Sequence, residues 1–280
     1  MKLNHGLALS NDGKTLYASS AEAAYAWPYD PETMSVGPTN QTLVTGMNTN
    51  DHTTRTLLMS RKANGTLVIS RGSTSNVDLE AETLSSGHSQ IKAFDLNTIP
   101  RNGYDFNTEG LLLGWGLRNS VGVSEHPVTG GIYSVENSVD EIMRDGKDIH
   151  QNNPGEELNF HGYLNGTEYA GQGGNYGYPY CFAAWGVGDI PNNSNLTVGS
   201  QFTMGTQNNT INDTYCAGLV LPRLTVQAHM APLDIVFNNS GTEAWVTFHG
   251  SWWADTNFLS SYHIIAELIL LQGPLESSRL

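Results

Sequence analysis

The sequence predicts an all-β fold, a β-propeller, on three observations. The composition is that of turn-rich sheet: 30 glycines and only 14% charged residues in 280 leave few of the charged faces that surface helices carry. A strand–tight turn–strand pattern recurs along the chain. Polar and cationic residues then fall at comparable points of each repeat, which a two-sheet sandwich would not explain.

The repeats can be taken in order. Leu7 to Ser19 is an alternating apolar run, an Asp12-Gly13 turn and a second alternating run. Leu57 to Ser70 repeats the plan around Asn64-Gly65, Val121 to Val135 around Gly130-Gly131, and Leu233 to Thr247 around Ser240-Gly241. Each is a β-hairpin signature, because glycine readily supplies the positive φ that such turns need. The turn glycines recur at a spacing of roughly 50–65 residues and then about twice that, as propeller blades do. The longest interval holds an insertion rich in Gly, Asn and Tyr around Gly171 to Cys181.

A net charge of −14 and a pI near 4.9 argue against nucleic acid and anionic membrane as partners. Any anionic ligand must therefore be held by a local cationic pocket. Asn-X-Ser/Thr occurs at Asn40, Asn64, Asn165, Asn192, Asn195, Asn208, Asn212 and Asn238, mostly in loop-like stretches suited to glycans. Cys181 and Cys216 either pair in an oxidising compartment or stay buried thiols. These features predict a secreted glycoprotein. Met1-Lys-Leu-Asn-His opens directly onto a strand pattern, so its leader is expected to be missing from this chain.

The most informative stretch is Gly114-Trp-Gly-Leu-Arg-Asn-Ser-Val-Gly122 running into Gly131 to Ile142. It sets Arg118 and Asn119 beside the oxygen-rich cluster Glu136, Asn137, Ser138, Asp140 and Glu141. A cationic fork, an amide and hard oxygen donors suit an anionic ligand together with a hard metal. The plainer alternative is a loop whose Arg pairs with a neighbouring acid. His5, His52, Arg71, His229 and His249 stand at comparable points of the other repeats, whereas His150 and His161 fall off this register and read as surface or structural.

These residues carry a resemblance. Asn4-His-Gly-Leu-Ala-Leu-Ser, Asp51-His-Thr-Thr-Arg-Thr-Leu-Leu, Ser70-Arg-Gly-Ser-Thr-Ser-Asn, the Arg118-Asn119 stretch, Asn153 to Tyr163, Gly174 to Phe182 and Gln227 to Ile235 resemble the soluble pyrroloquinoline quinone (PQQ)-dependent sugar dehydrogenases. The fungal pyranose, or sorbosone-type, dehydrogenases are the most similar. The resemblance runs from about Leu3 to Trp252. It implies a six-bladed propeller, about four blades of which this chain covers, binding PQQ and Ca²⁺ and oxidising a sugar. A haem domain or an extracellular oxidase is the redox partner it suggests.

Carried over position by position, the resemblance makes His52 the general base and Arg118 the group that polarises the quinone. It assigns cofactor contacts to His5, Arg71, Arg118, Asn119, His229 and His249, and metal ligation to the turn at Asn137 and Ser138 through backbone carbonyls. Asp140 and Glu141 complete this or a second calcium site. Bacterial relatives place an Asp behind the base where this chain has Arg71, so the partner of His52 is left open and Arg71 is assigned to a carboxylate of the quinone. Residues 1–252 are expected to form a partial propeller and residues 253–280 a tail unlike the family, either a helix over an open edge or a foreign sequence. On that expectation the site is damaged. A carbohydrate-binding propeller without catalysis and a calcium-dependent lactonase are the alternative function classes.

Overall fold

The structure, a computed structural model, describes residues 2–205 and 208–250 and the backbone of Ile264–Ile269. Four predominantly antiparallel sheets follow one another along the chain. The first is β1 (Leu3–Leu9), β2 (Thr15–Ser20), β3 (Ala24–Asp30) and β4 (Gln41–Thr45), extended by the short strands Ser35–Val36 and Tyr104–Asp105. The second is β5 (Leu57–Met59), β6 (Thr66–Arg71), β7 (Gln90–Asp95) and β8 (Leu111–Trp115). The third is β9 (Ser120–Glu125), β10 (Gly131–Glu136), β11 (Glu156–Tyr163) and β12 (Leu224–Val226). The fourth is β13 (Pro232–Phe237), β14 (Glu243–Phe248) and β15 (Ile264–Ile269).

The first strands β1, β5, β9 and β13 pack against one another in chain order. Each sheet thus presents its first strand to a common centre and its faces to its neighbours, the arrangement of propeller blades. The four hairpins foreseen in the sequence are β1–β2, β5–β6, β9–β10 and β13–β14. Their turn glycines take left-handed backbone, as Gly13 (φ +70°) and Gly241 (φ +71°) illustrate.

Period-2 geometry explains why the middle blades read as nearly continuous apolar runs. In β6, Leu67 and Ile69 enter the core shared with the first sheet, while Val68, pointing the other way, enters the core shared with the third. In β7, Phe94 faces the first sheet and Ile91 and Ala93 the third. A further core between the third and fourth sheets joins Val135 and Leu158 to Ile235 and Val246.

The long connection from β11 to β12 carries its own small core. A hairpin of Cys181–Ala183 with Gln201–Thr203 packs Phe182 and Phe202 on Val139, Ile142 and Ile149, beside the short helix α1 (Asp213–Ala217). Cys181 and Cys216 form a disulfide, which decides between the two readings of the sequence. Ile264–Ile269, within the run expected as a helix or a foreign tail, is a strand antiparallel to β14. The rest of the tail assigned to 253–280 lies outside the described residues. Among the described residues no helix is long and apolar enough to cross a membrane.

Candidate active site at the open ends of the hairpins

In an antiparallel hairpin the start of the first strand and the end of the second lie together, opposite the tight turn. The candidate residues occupy these open ends. His52 precedes β5, the Gly72–Asn76 loop follows β6, Arg118-Asn119 precedes β9, Asn137–Glu141 follows β10, His229 precedes β13 and His249 follows β14. Hairpin topology therefore gathers residues far apart in sequence.

Arg118 is the hub, and it is buried. Its Nε donates to the Asn76 carbonyl (3.0 Å) and its Nη2 to Asn76 Oδ1 (2.8 Å). Its Nη1 donates to the carbonyls of Asn137 (3.2 Å) and Ser138 (2.6 Å), the pair assigned from the sequence to a metal. Asp140, 53% exposed, lies 3.7 Å from Nη2. Neutral carbonyls thus supply most of the solvation of this cation, leaving its charge weakly compensated.

His52 is half-buried, with Nδ1 2.8 Å from Ser73 Oγ. Burial first, and then the charge of Arg118, lower its pKa to about 4, so the ring is neutral at pH 7. Arg55, fully buried, holds the loop by donating to the carbonyls of His52 (2.7 Å) and Met47 (2.6 Å). Gly72 permits the next approach: a Cβ there would stand 2.6 Å from Asn119 Oδ1 and 2.7 Å from His52 Cβ. Asn119 in turn lends its carbonyl to the Asn137 N–H (3.0 Å).

Glu156 fixes two loops at once. Its carboxylate accepts the N–H groups of Ser138 (2.7 Å) and Ala231 (3.3 Å), tying the Asn137–Ser138 turn to the His229 loop. That loop needs the tie, because His229 (φ +63°) and Ala231 (φ +48°) both sit in left-handed backbone. Burial raises Glu156 to about 7 despite these donors. Asn137 Nδ2 adds a bond to the Pro232 carbonyl (2.6 Å), and the His249 N–H donates to Ala231 (3.0 Å).

Three ligand-type side chains, Asp140, His150 and His229, come within 4.8 Å of one another. The bond at His150 weighs against that ring as a metal ligand, whereas His229, which gives its Nε2–H to a carbonyl, keeps a lone pair on Nδ1 toward Asp140. His150 Nδ1 accepts the Glu141 N–H (2.9 Å), which puts that ring's proton on Nε2, and His229 Nε2 faces the His150 carbonyl (2.5 Å). The two rings meet edge to face, 4.3 Å apart.

The structure therefore brings together His52, Arg118, Asn119, Asn137, Ser138, Asp140 and His229, with His249 joined through its backbone. Glu141 contributes its N–H to His150 rather than a carboxylate to the Arg118 group. His5 stands on the first-strand wall, Nε2 3.1 Å from Thr56 Oγ1, which bonds the Val121 carbonyl. Arg71 is bonded within the protein itself. Its terminal nitrogens donate to Asn107 Oδ1 (2.7 Å) and to the carbonyls of Ser86 (3.1 Å) and Asn48 (2.9 Å), and its guanidinium lies over Phe106. It ties loops of the first two sheets through both terminal nitrogens.

His150 and His161 are not surface residues. Both are buried, His150 against His229 and His161 on Ser134 (2.7 Å) and Tyr176. Sequence reasoning passed over Ser73, Asn76 and Glu156. The first two are residue types too common in loops to stand out. Glu156 carried a signal: it opens an eight-residue strand with two acids, an amide and a histidine, nearly all buried, which polar groups tolerate only when bonded.

Comparison with known proteins follows the same lines. The TrAA12-like family model matches residues 1–265. The chain is 52% identical over 252 residues to a pyrroloquinoline quinone-dependent sugar dehydrogenase of Hypocrea jecorina, covering 89% of this chain and 58% of that protein. It is 38% identical over 259 residues to a pyrroloquinoline quinone-dependent pyranose dehydrogenase of Coprinopsis cinerea, covering 90% and 34%. Among solved structures, the calcium structure of Trichoderma reesei family AA12 superposes with a TM-score of 0.90 at 47% identity, covering 99% of this chain and 69% of that one. The holo PQQ domain of the Coprinopsis cinerea pyranose dehydrogenase gives 0.83 at 38% identity, covering 91% and 62%. The chain thus spans little more than half the length of the first of these curated relatives and about a third of the second.

Proposed function

The chain belongs to the TrAA12-like family, and on that premise we propose that it carries the site of a PQQ- and Ca²⁺-dependent sugar dehydrogenase, with His52 as general base. The observation that carries the reading is the surroundings of Arg118. Two backbone carbonyls converge on its Nη1, so a cation already stands against a pair of hard oxygen donors of the kind Ca²⁺ takes. The weakly compensated guanidinium also gives the pocket a local positive field inside a chain of net charge −14, which suits an anionic quinone. The relatives named as PQQ-dependent sugar and pyranose dehydrogenases, and the calcium structure, support the same assignment.

Bound PQQ supplies a carbonyl that takes up a hydride, and Ca²⁺ bound beside it supplies Lewis acidity. The chain's own residues do the rest. The carbonyls of Asn137 and Ser138 would hold the cation, and Arg118, whose Nη1 bonds both in this structure, stands beside them. Arg118 offers donors to the negative charge that develops on the acceptor oxygen. His52, neutral at working pH, takes the proton of the sugar hydroxyl as the carbon loses hydride. Asn119 and His52 both close on Gly72, which sets the amide beside the base.

We place the protein in an oxidising, extracellular compartment, supported by the Cys181–Cys216 disulfide and by the exposure of Asn40, Asn64, Asn165, Asn192, Asn195 and Asn208. Its reoxidation falls to a separate redox protein, a haem domain or an oxidase. The test is a titration of the 280-residue chain with PQQ, with and without Ca²⁺, followed by quinone absorbance and then by a panel of sugars with an artificial electron acceptor. Calcium-dependent saturation and sugar-dependent bleaching are expected. Glycan binding without turnover, or calcium-dependent lactone hydrolysis without quinone binding, would replace the reading.

A further inference from the structure

The neutral ring of a histidine carries one proton, and which nitrogen holds it decides whether the ring can act as a base at a given place. Around His52 the bonding is directional. Ser73 Oγ lies 2.8 Å from His52 Nδ1 and donates its own hydrogen to the Ser75 carbonyl at 2.7 Å. A hydroxyl has a single proton, so a serine that has given it to a carbonyl meets the ring with a lone pair. The ring must then present N–H at Nδ1, and its lone pair is left on Nε2.

From this bonding we infer that Ser73 is a positioning residue that fixes His52 in the Nδ1–H tautomer and so makes Nε2 the proton-accepting atom. The loop is built to hold it. Ser73 is fully buried and its N–H donates to the Arg118 carbonyl (2.8 Å), which locks it to the strand entry that also positions the guanidinium. The Ser75 carbonyl is fixed in turn, with the Tyr178 hydroxyl 3.3 Å away. One short loop, Ser73 to Asn76, therefore orients both the base and Arg118, since Asn76 accepts from Arg118 Nε and Nη2.

The use of a hydroxyl has a chemical consequence. A carboxylate at this point would also orient the ring, but its charge would favour the protonated form. Ser73 orients without adding charge. The charged groups that act on His52 are Arg118, which disfavours protonation, and the weaker Asp51 and Asp140, which favour it. The base accordingly stays largely unprotonated down to about pH 4, and a Ser73→Asp chain would lose that property.

The inference rests on the assignment of His52 as the base, and the two are separable because the tautomer is read without turnover. The measurement is two-dimensional ¹⁵N NMR of the imidazole nitrogens in the 280-residue chain without cofactor, with the His52 signals identified by their loss in His52→Gln. We expect a protonated Nδ1 and an unprotonated Nε2 at pH 7. Ser73→Ala should shift the proton toward Nε2 and Ser73→Thr should restore it, with the His161 signals unchanged as the control for folding. In the PQQ- and Ca²⁺-loaded protein, Ser73→Ala should lower kcat about ten- to a hundred-fold with KM little altered, and Ser73→Asp should move the acidic limb of the pH profile upward. An Nε2–H tautomer in the parent chain, or a tautomer unmoved by Ser73→Ala, overturns the inference. A serine-dependent tautomer in a chain that oxidises no sugar upholds it and overturns the assignment of His52 instead.

Discussion

At the scale of single residues the site turns on Arg118, which does two incompatible things in turn. In the structure its Nη1 occupies the carbonyls of Asn137 and Ser138, and in the proposed reaction it serves the cofactor. Arg118→Ala should therefore bind Ca²⁺ more tightly than the parent when PQQ is absent, because the carbonyls lose a competing cation, while its affinity for PQQ falls. Calorimetric titration of each ligand separates the effects, and weaker Ca²⁺ binding by the variant would contradict the competition. The same substitution should raise the pKa of His52 from about 4 toward its ordinary 6.5, since Arg118 is the largest charge acting on it. Burial remains, so the rise is partial. The sign for stability follows: a histidine held below its unfolded pKa costs stability as pH falls from about 6.5 toward 4, and the variant should lose less over that window.

At the scale of elements, two features bear on stability. The disulfide joins the Cys181–Ala183 hairpin to α1 across a sequence separation of 35, bracing a segment with only a small core of its own. Replacing both cysteines by serine should lower stability by about 3–4 kcal/mol on chain entropy, read as a lower midpoint in urea. An unchanged midpoint would mean that the insertion is held by packing alone. The second feature is the buried pair Glu136 and Glu157, directly opposite each other on β10 and β11 and bridged by Asn159. Burial and mutual repulsion raise the Glu136 carboxyl, and burial raises that of Glu157. Groups raised above their unfolded values stabilise the fold at low pH and lose that contribution as pH climbs through the folded value. Glu157→Gln should thus show a shallower fall in melting temperature between about pH 4.5 and 7 than the parent, and equal slopes would refute the pairing. These acids were legible as letters in the sequence but not as a pair, because cross-strand register, fixed by the turns, put them opposite each other.

At the scale of the whole molecule, a local cationic pocket works against a long-range field of the opposite sign. A net charge of −14 repels an anionic quinone at distance, whereas the attraction of Arg118 acts at close range and is screened less. The association rate of PQQ should therefore rise as salt is raised from about 10 to 150 mM, over which the Debye length shrinks from about 30 to 8 Å. Stopped-flow absorbance measures it, and a rate that falls with salt would show that local attraction already governs encounter. The radial packing of four sheets is what makes the pocket possible: β5, β9 and β13 side by side bring His52, Arg118 and His229 to one end.

The sequence by itself determined the all-β class, the four hairpins and the end of each hairpin at which polar residues gather. Those properties are local: alternation sets strand faces, and glycine sets turns. It also marked His52, Arg118 and the Asn137–Ser138 turn as candidates, through motifs whose residues are neighbours in the chain. Only the tertiary structure decided that Arg71 braces loops, that His150 lies against His229, that Ser73 meets His52 and that Arg118 holds the two carbonyls. Each of those outcomes depends on which atom faces which across separate blades, and hydrogen bonds form only at short range and in the right direction. Composition and spacing carry no such distances.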